Sequence, residues 1–223
     1  MDIILSVSLF LQDIFYKKAR MKIVCIGRNY VEHAKELKNP LPQKPIFFLK
    51  PETAILTKNR PFFYPDFSED IHYEVELVIK IGKNGKHIQE KFAADYYNEI
   101  ALGIDFTARD IQQNCKTKGL PWEIAKGFDN AAPLSKFIKM EGLPPMNNIN
   151  FKLELNGKVV QDGNSKNMIF NVDYIISYVS KYITLKMGDV IFTGTPEGVG
   201  PVKIGDHLVG YLEGKEMFSF FVK

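Results

Sequence analysis

Cysteine is scarce in this 223-residue chain, with Cys25 and Cys115 the only two. A disulfide-built secreted fold uses four or more, and a zinc finger needs ligands that are missing here, so both classes are excluded. Both thiols read as reduced. Long apolar runs are also missing. The N-terminal stretch Ile3 to Leu11 falls far short of the roughly 18–20 residues that span a bilayer. No basic segment precedes it and no small-residue cleavage site follows it. A secretory signal is therefore not expected, and a cytoplasmic location is, or a mitochondrial one in an animal. Charge of one sign is lacking as well: 29 Lys and Arg against 26 Asp and Glu leave a net +3. No basic run exceeds a pair such as Lys17-Lys18. Neither nucleic acid nor a membrane is an expected partner.

What is present fits a globular domain. Hydrophobic residues are 45% and charged residues 25%, which argues against disorder. A chain of this length buries roughly 70–75% of its unfolded surface and needs no covalent staple. Residues 1–20 differ from the rest, apolar first and then basic through Lys17-Lys18-Ala19-Arg20. They read as an N-terminal extension, with Met21 either a second start or the end of a short surface helix, and no function is placed there. The domain proper is 21–223.

Strand signals dominate after Met21. Lys22–Gly27 is a short apolar strand. Asn84-Gly85 and Asn156-Gly157 predict hairpin turns, because Asn-Gly supplies the positive φ angles of a type I′ turn. Glu213-Gly214 predicts another. Helices are expected at Val31–Leu37, at Ala93–Ile100, at Thr107–Lys116 with Thr107 as cap, and after Asn171, where Val172, Ile175, Ile176 and Val179 recur at helical spacing. There is no βαβ alternation, so the fold class is mainly β with inserted helices.

The most informative stretch is Ile71–Gly82, IHYEVELVIKIG. Period-two alternation sets His72, Glu74 and Glu76 on one strand face. Residues two apart on a strand lie roughly 6.5–7 Å apart, and two carboxylates there repel unless a cation sits between them. A hard divalent ion fits that need; an exposed strand edge with glutamates for solubility is the alternative. Asp105 ends a further apolar strand, Ile100–Ile104, either as a third acid at the same place or as a helix cap. Three carboxylates without His or Cys select magnesium or manganese over zinc or copper. His72 reads as a neighbour and not a ligand.

Other residues carry chemistry only in combination. His33 and Glu36 are three apart and meet on a helix, as a general-base dyad or as a surface pair. Lys126 follows the single Trp122 and offsets negative charge if desolvated, or else faces water. Arg109, Gln112 and Gln113 either reach a ligand or face solvent. The loop Thr193-Gly194-Thr195-Pro196-Glu197-Gly198-Val199-Gly200 is a carboxylate-binding loop or a bare turn; it lacks the Walker A lysine, and no helix follows it as a dinucleotide fold requires.

These pieces stand in one order: Gly27-Arg28-Asn29-Tyr30-x-x-His33-Ala34-x-Glu36, Phe48-Leu49-Lys50-Pro51, Tyr73-Glu74-x-Glu76-Leu77, Asp105-x-Thr107-Ala108-Arg109-Asp110, Lys118-Gly119-Leu120-Pro121-Trp122, Lys126, and Thr193-Gly194-Thr195-Pro196-x-Gly198-Val199-Gly200. In that order the chain resembles the fumarylacetoacetate hydrolase superfamily from about 22 to 222, and within it the acylpyruvate hydrolase and oxaloacetate decarboxylase branch. The resemblance implies a mixed β-sandwich roll, commonly a homodimer. It implies Mg2+ or Mn2+ on Glu74, Glu76 and Asp105, a catalytic His33–Glu36 dyad on a lid, Lys126 as a catalytic cation, and Arg28, Arg109, Gln112, Gly194 and Thr195 around the substrate. The implied activity is carbon–carbon cleavage of a small 2-oxo acid through a metal-bound pyruvate enolate: hydrolysis of acylpyruvates, decarboxylation of oxaloacetate, or both. Isomerases, hydratases and decarboxylases of aromatic degradation, an oxaloacetate tautomerase, and a silent dicarboxylate-binding protein are the competing readings.

Overall fold

A computed structural model describes residues 21–37 and 40–223; the extension 1–20 lies outside the described residues. In chain order the first strands and helix are β1 (Ile23–Gly27), α1 (Val31–Glu36), β2 (Ile46–Lys50), β3 (Ile55–Leu56), β4 (Ile71–Tyr73), β5 (Val75–Ile81), β6 (Tyr97–Ile104) and β7 (Thr107–Ala108). Then come α2 (Arg109–Lys118), α3 (Glu123–Lys126), β8 (Ala132–Pro133), β9 (Ile138–Lys139), β10 (Asn150–Leu155) and β11 (Lys158–Asn164). The chain closes with α4 (Val172–Ser180), β12 (Val190–Phe192), β13 (Gly200–Pro201), β14 (His207–Leu212) and β15 (Lys215–Phe221).

Two sheets build the sandwich. One runs β2-β1-β12-β5-β6-β9 and is antiparallel except where β1 pairs with β12. The other is the meander β11-β10-β14-β15. Alternation sorts the first sheet's side chains to two cores. Ile23, Cys25, Val78, Val190 and Phe192 face the meander's Phe151, Leu153 and Phe218. Val24, Ile26, Ile79 and Ile191 pack under α4 through Val172, Ile175, Ile176 and Val179. This is the expected mixed β-sandwich with inserted helices.

Strand β5 sits between β12 and β6, and Val75, Leu77, Val78, Ile79 and Ile81 are fully buried. Each such side chain contributes about 1.5–3 kcal/mol of burial, enough to hold polar groups at its end. The exposed-edge reading of Glu74 and Glu76 is thereby excluded. The stretch 71–82 is also not one strand. β4 belongs to a small sheet β13-β4-β7, β5 to the large one, and Glu74 stands at the break between them.

Three local expectations fail for tertiary reasons. Asn84-Gly85 makes no hairpin: Gly85 bridges Leu185 and the Asn84 side chain accepts from Met187 N–H. Residues 93–100 are no α-helix, because a 3-10 turn (Glu90–Tyr96) hands over to β6, which β5 pairs along its length. Thr107 does not cap α2; it lies in β7 opposite His72, and the helix starts at Arg109 without a side-chain cap. The other signals hold. Asn156 and Gly157 (φ 52° and 78°) close the β10–β11 hairpin, and Glu213-Gly214 closes β14–β15. Asn171 caps α4 by accepting from Tyr174 N–H at 2.8 Å.

Candidate active site

The antiparallel register of β5 and β6 brings the acids together: Val75 lies opposite Ile104, so Glu74 comes opposite Asp105. Glu74 lies between β4 and β5, Glu76 near the start of β5, and Asp105 at the end of β6, where its N–H donates to the Glu74 carbonyl at 2.8 Å. All three are buried, and one oxygen from each lies within 4.8 Å of the others. Among the described residues this is the one cluster of that kind, and His72 is outside it, paired with Asp70 at 2.8 Å.

Buried carboxylates cost several kcal/mol each unless paired, and the pairing here is uneven. Glu74 accepts from Arg109 Nη2 at 2.5 Å and from Lys126 Nζ at 2.9 Å. Burial raises its pKa, but Lys126 and Arg109 outweigh burial and hold it well below the usual carboxylate range. Asp105 Oδ2 accepts from Lys126 at 2.6 Å. Lys50 Nζ lies 2.7 Å from Asp105 Oδ1 but donates to the carbonyls of Phe106, Lys126 and Ala131, and Oδ1 has no hydrogen-bond donor among the described residues. Among the described residues Glu76 has only the Gly194 N–H, at 2.7 Å. Burial and the neighbouring Asp105 push the Glu76 carboxyl well above its ordinary value. An all-oxygen donor set, one orphaned oxygen and one carboxyl without a cation fit a hard divalent ion.

Lys126, at the end of α3, is buried against the Phe48 ring. Burial lowers its pKa, but Asp105 and Glu74 raise it further, so it remains an ammonium. His33 sits on α1 with Nδ1 3.4 Å from Glu36 Oε2, only 4% exposed. Burial depresses its pKa more than Glu74 and Glu36 restore it, so at neutral pH the ring is the free base. Lys126 can thus offer positive charge in the pocket, and His33 a nitrogen able to take a proton.

The Gly-Thr-Pro loop does bind carboxylates, and the ones it holds are the chain's own: Gly194 N–H takes Glu76 and Gly198 N–H takes Glu36 at 3.1 Å. Gly194 has φ +102°, and a Cβ there would lie 2.6 Å from Asn29 Cβ, so only glycine fits. Thr195 Oγ1 accepts from Gln161 Nε2 at 2.9 Å, leaving its own hydrogen free. Gln112 accepts from Arg109 Nη1 at 2.7 Å, leaving its NH2 free. Gln113 is exposed and plays no part.

One pocket, a cavity of about 30 Å3, is lined by Arg28, His33, Glu74, Glu76, Asp105, Arg109, Gln112, Lys126 and Thr195. Glu36 stands behind His33 and Gly194 behind Glu76. The surface alternatives for Lys126, His33 and Gln112 are excluded by their burial. Four further residues belong to the site without a role assigned from sequence. Lys50 has a signal, as a lysine ending an apolar strand. Lys116 lines the pocket one helical turn after Gln112. Asn29 stands in the first of the ordered motifs without a role, and Gln161 carries no signal: both buried, Asn29 ties the loop to the end of β1 across 164 residues of chain, and Gln161 joins β5 to Thr195 across 86 and 34.

Comparison with known proteins agrees with this geometry. Residues 22–218 match the family model described as fumarylacetoacetate (FAA) hydrolase C-terminal. The chain is 45% identical over 201 residues to mouse oxaloacetate tautomerase FAHD1, mitochondrial, covering 90% of this chain and 91% of that one. It is 47% identical over 192 residues to Dictyostelium discoideum oxaloacetate decarboxylase, mitochondrial, covering 86% and 88%. Fumarylpyruvate hydrolase from Pseudomonas aeruginosa, solved in complex with Mn2+ and pyruvate, superposes with a TM-score of 0.86 at 35% identity over 91% of this chain and 89% of that one. With the acids, the dyad and the sandwich all in the arrangement described, the chain belongs to the fumarylacetoacetate hydrolase family.

Proposed function

We propose that this chain breaks a carbon–carbon bond in 2-oxo acids, by hydrolysis of acylpyruvates, decarboxylation of oxaloacetate, or both, with Mg2+ or Mn2+ held by Glu74, Glu76 and Asp105. The observation that carries the reading is His33 and Lys126 in one pocket with a buried acidic triad whose Glu76 has no cation partner among the described residues. When bound, the cation supplies a Lewis acid for the substrate's keto oxygen.

The side chains supply the rest. Thr195 O–H and the Gln112 NH2, their acceptor sides already occupied, donate to the substrate's carboxylate end. Lys126 offsets negative charge as it develops. With Nδ1–H donated to Glu36, His33 keeps Nε2 for a proton. In hydrolysis that proton comes from the water attacking the distal carbonyl; the carbon–carbon bond then breaks and its electron pair goes to the pyruvate half. In decarboxylation CO2 leaves and no base is needed. Glu36 ties α1 to Gly198 of the Gly-Thr-Pro loop, so α1 is the element that would open to admit substrate and close again through that contact.

A second reading is tautomerisation of oxaloacetate, supported by the name of the mouse relative. His33 Nε2 would then take the C3 proton, and only a C–H bond breaks. The test is purified protein with oxaloacetate and acetylpyruvate, with Mg2+, with Mn2+ and with chelator, following pyruvate release and enol absorbance. Metal-dependent turnover of either substrate is the expected result. No turnover together with tight oxalate binding would make the chain a dicarboxylate-binding protein. Residues 21–223 are the proposed catalytic unit and a homodimer the proposed assembly, which sedimentation tests.

A further inference from the structure

Two cations in this pocket are in no ion pair among the described residues. Arg109 and Lys126 are paired with Glu74 and Asp105. Arg28 and Lys116 line the same pocket, are half-buried, and make no ion pair among the described residues.

Both are held there by the fold. Arg28 adopts φ 59°, a left-handed conformation unusual for a side chain with a Cβ. Asn29 enforces it: its buried amide donates to Thr193 O at 2.7 Å and Phe170 O at 3.0 Å and accepts from Phe170 N–H at 2.8 Å. Strain over-determined in this way marks functional positions. Lys116 shares a face of α2 with Gln112, four residues back. Its ammonium lies 5.9 Å over the Trp122 ring, and that ring lies against Gly27, next to Arg28. Lys116, Trp122 and Arg28 thus form one wall. Burial, Arg109 and Arg28 push the Lys116 ammonium down to about 8, with Lys126 adding to them and only Glu74 opposing. Exposure orders the pocket: the acidic triad, Lys126 and Gln112 are buried, whereas this wall is half-open.

We propose that Arg28 and Lys116 receive the distal carboxylate of a dicarboxylic 2-oxo acid and make this chain favour such dianions over acylpyruvates with an uncharged tail. The inference rests on the function proposed above: the keto-acid end lies at the buried triad and the far end meets the wall. An arginine fork matches a carboxylate and a lysine adds a point charge.

The test uses Lys116→Gln, Arg28→Gln and Lys116→Arg in manganese-loaded protein, with two inert ligands titrated by calorimetry. Oxalate and malate are both dianions, but only malate extends a carboxylate beyond the chelating end. The expected result is that malate weakens about tenfold or more beyond any loss for oxalate in either Gln variant, and that Lys116→Arg restores it. The kcat/KM ratio of oxaloacetate to acetylpyruvate falls by a similar factor. Equal weakening of oxalate and malate would show a general field effect and overturn the proposal. Should the unaltered protein turn over neither substrate, the proposed activity falls, and the comparison of malate with oxalate still decides this inference.

Discussion

Gly198 N–H donates to the Glu36 carboxylate at 3.1 Å across 162 residues of chain, and the same carboxylate stands 3.4 Å from His33 Nδ1. One acid therefore both latches α1 to the Gly-Thr-Pro loop and sets the tautomer of the imidazole. Glu36→Gln separates the two roles, since the amide still accepts from Gly198 but carries no charge. The variant should keep substrate KM within a few-fold and lose about tenfold to a hundredfold in kcat for acetylpyruvate, within the range of general-base effects. A rise in KM with kcat unchanged would make the latch the main role.

His33→Ala separates the reactions. Hydrolysis and tautomerisation need a proton acceptor, whereas loss of CO2 does not. Acetylpyruvate cleavage should fall about a hundredfold or more, with oxaloacetate decarboxylation reduced far less, as read by pyruvate and CO2 release. Equal losses would mean that His33 serves lid closure alone.

Glu76→Gln tests the metal centre without relying on turnover. The raised Glu76 carboxyl is the triad member with no cation partner, so a neutral amide that still accepts from Gly194 costs the metal-free protein little. Melting of metal-free protein should be unchanged or slightly higher. In the unaltered protein, Mn2+ at a hundred times its Kd should add about 2.7 kcal/mol of stability, and in the variant almost none. Equal stabilisation of both would place the ion elsewhere.

Acid should expose the buried histidines. Burial holds His33 and His72 below the ordinary 6.5, so in the unfolded chain they protonate first. The unfolded state then binds more protons, and stability falls as pH drops from about 6.5 toward the folded values. Urea melts at pH 7.5 and 5.5 should show the unaltered protein losing more than His33→Gln. Hydrolysis should hold its rate through pH 6.5 and decline only below it. A decline beginning above 6.5 would contradict a depressed His33.

Much of the fold is legible in the amino-acid sequence wherever the cause is local. Positive φ at Asn156-Gly157 and Glu213-Gly214 closes hairpins between strands that are neighbours in sequence. The Asn171 cap and the apolar spacing after it make α4 by short-range bonds. The acids are legible because their types and spacing name a hard cation, and the ordered motifs name the family. What tertiary structure alone decides is everything that depends on distant pairing. Asn84-Gly85 loses its turn to a bridge with Leu185, and Thr107 loses its cap to a strand opposite His72. Glu74 and Asp105 meet only because β5 pairs with β6 in a register that sets Val75 opposite Ile104. The uneven sharing of Lys50, Lys126 and Arg109 among three carboxylates, and the two cations left over, follow from burial, which removes the water that would otherwise screen every charge alike.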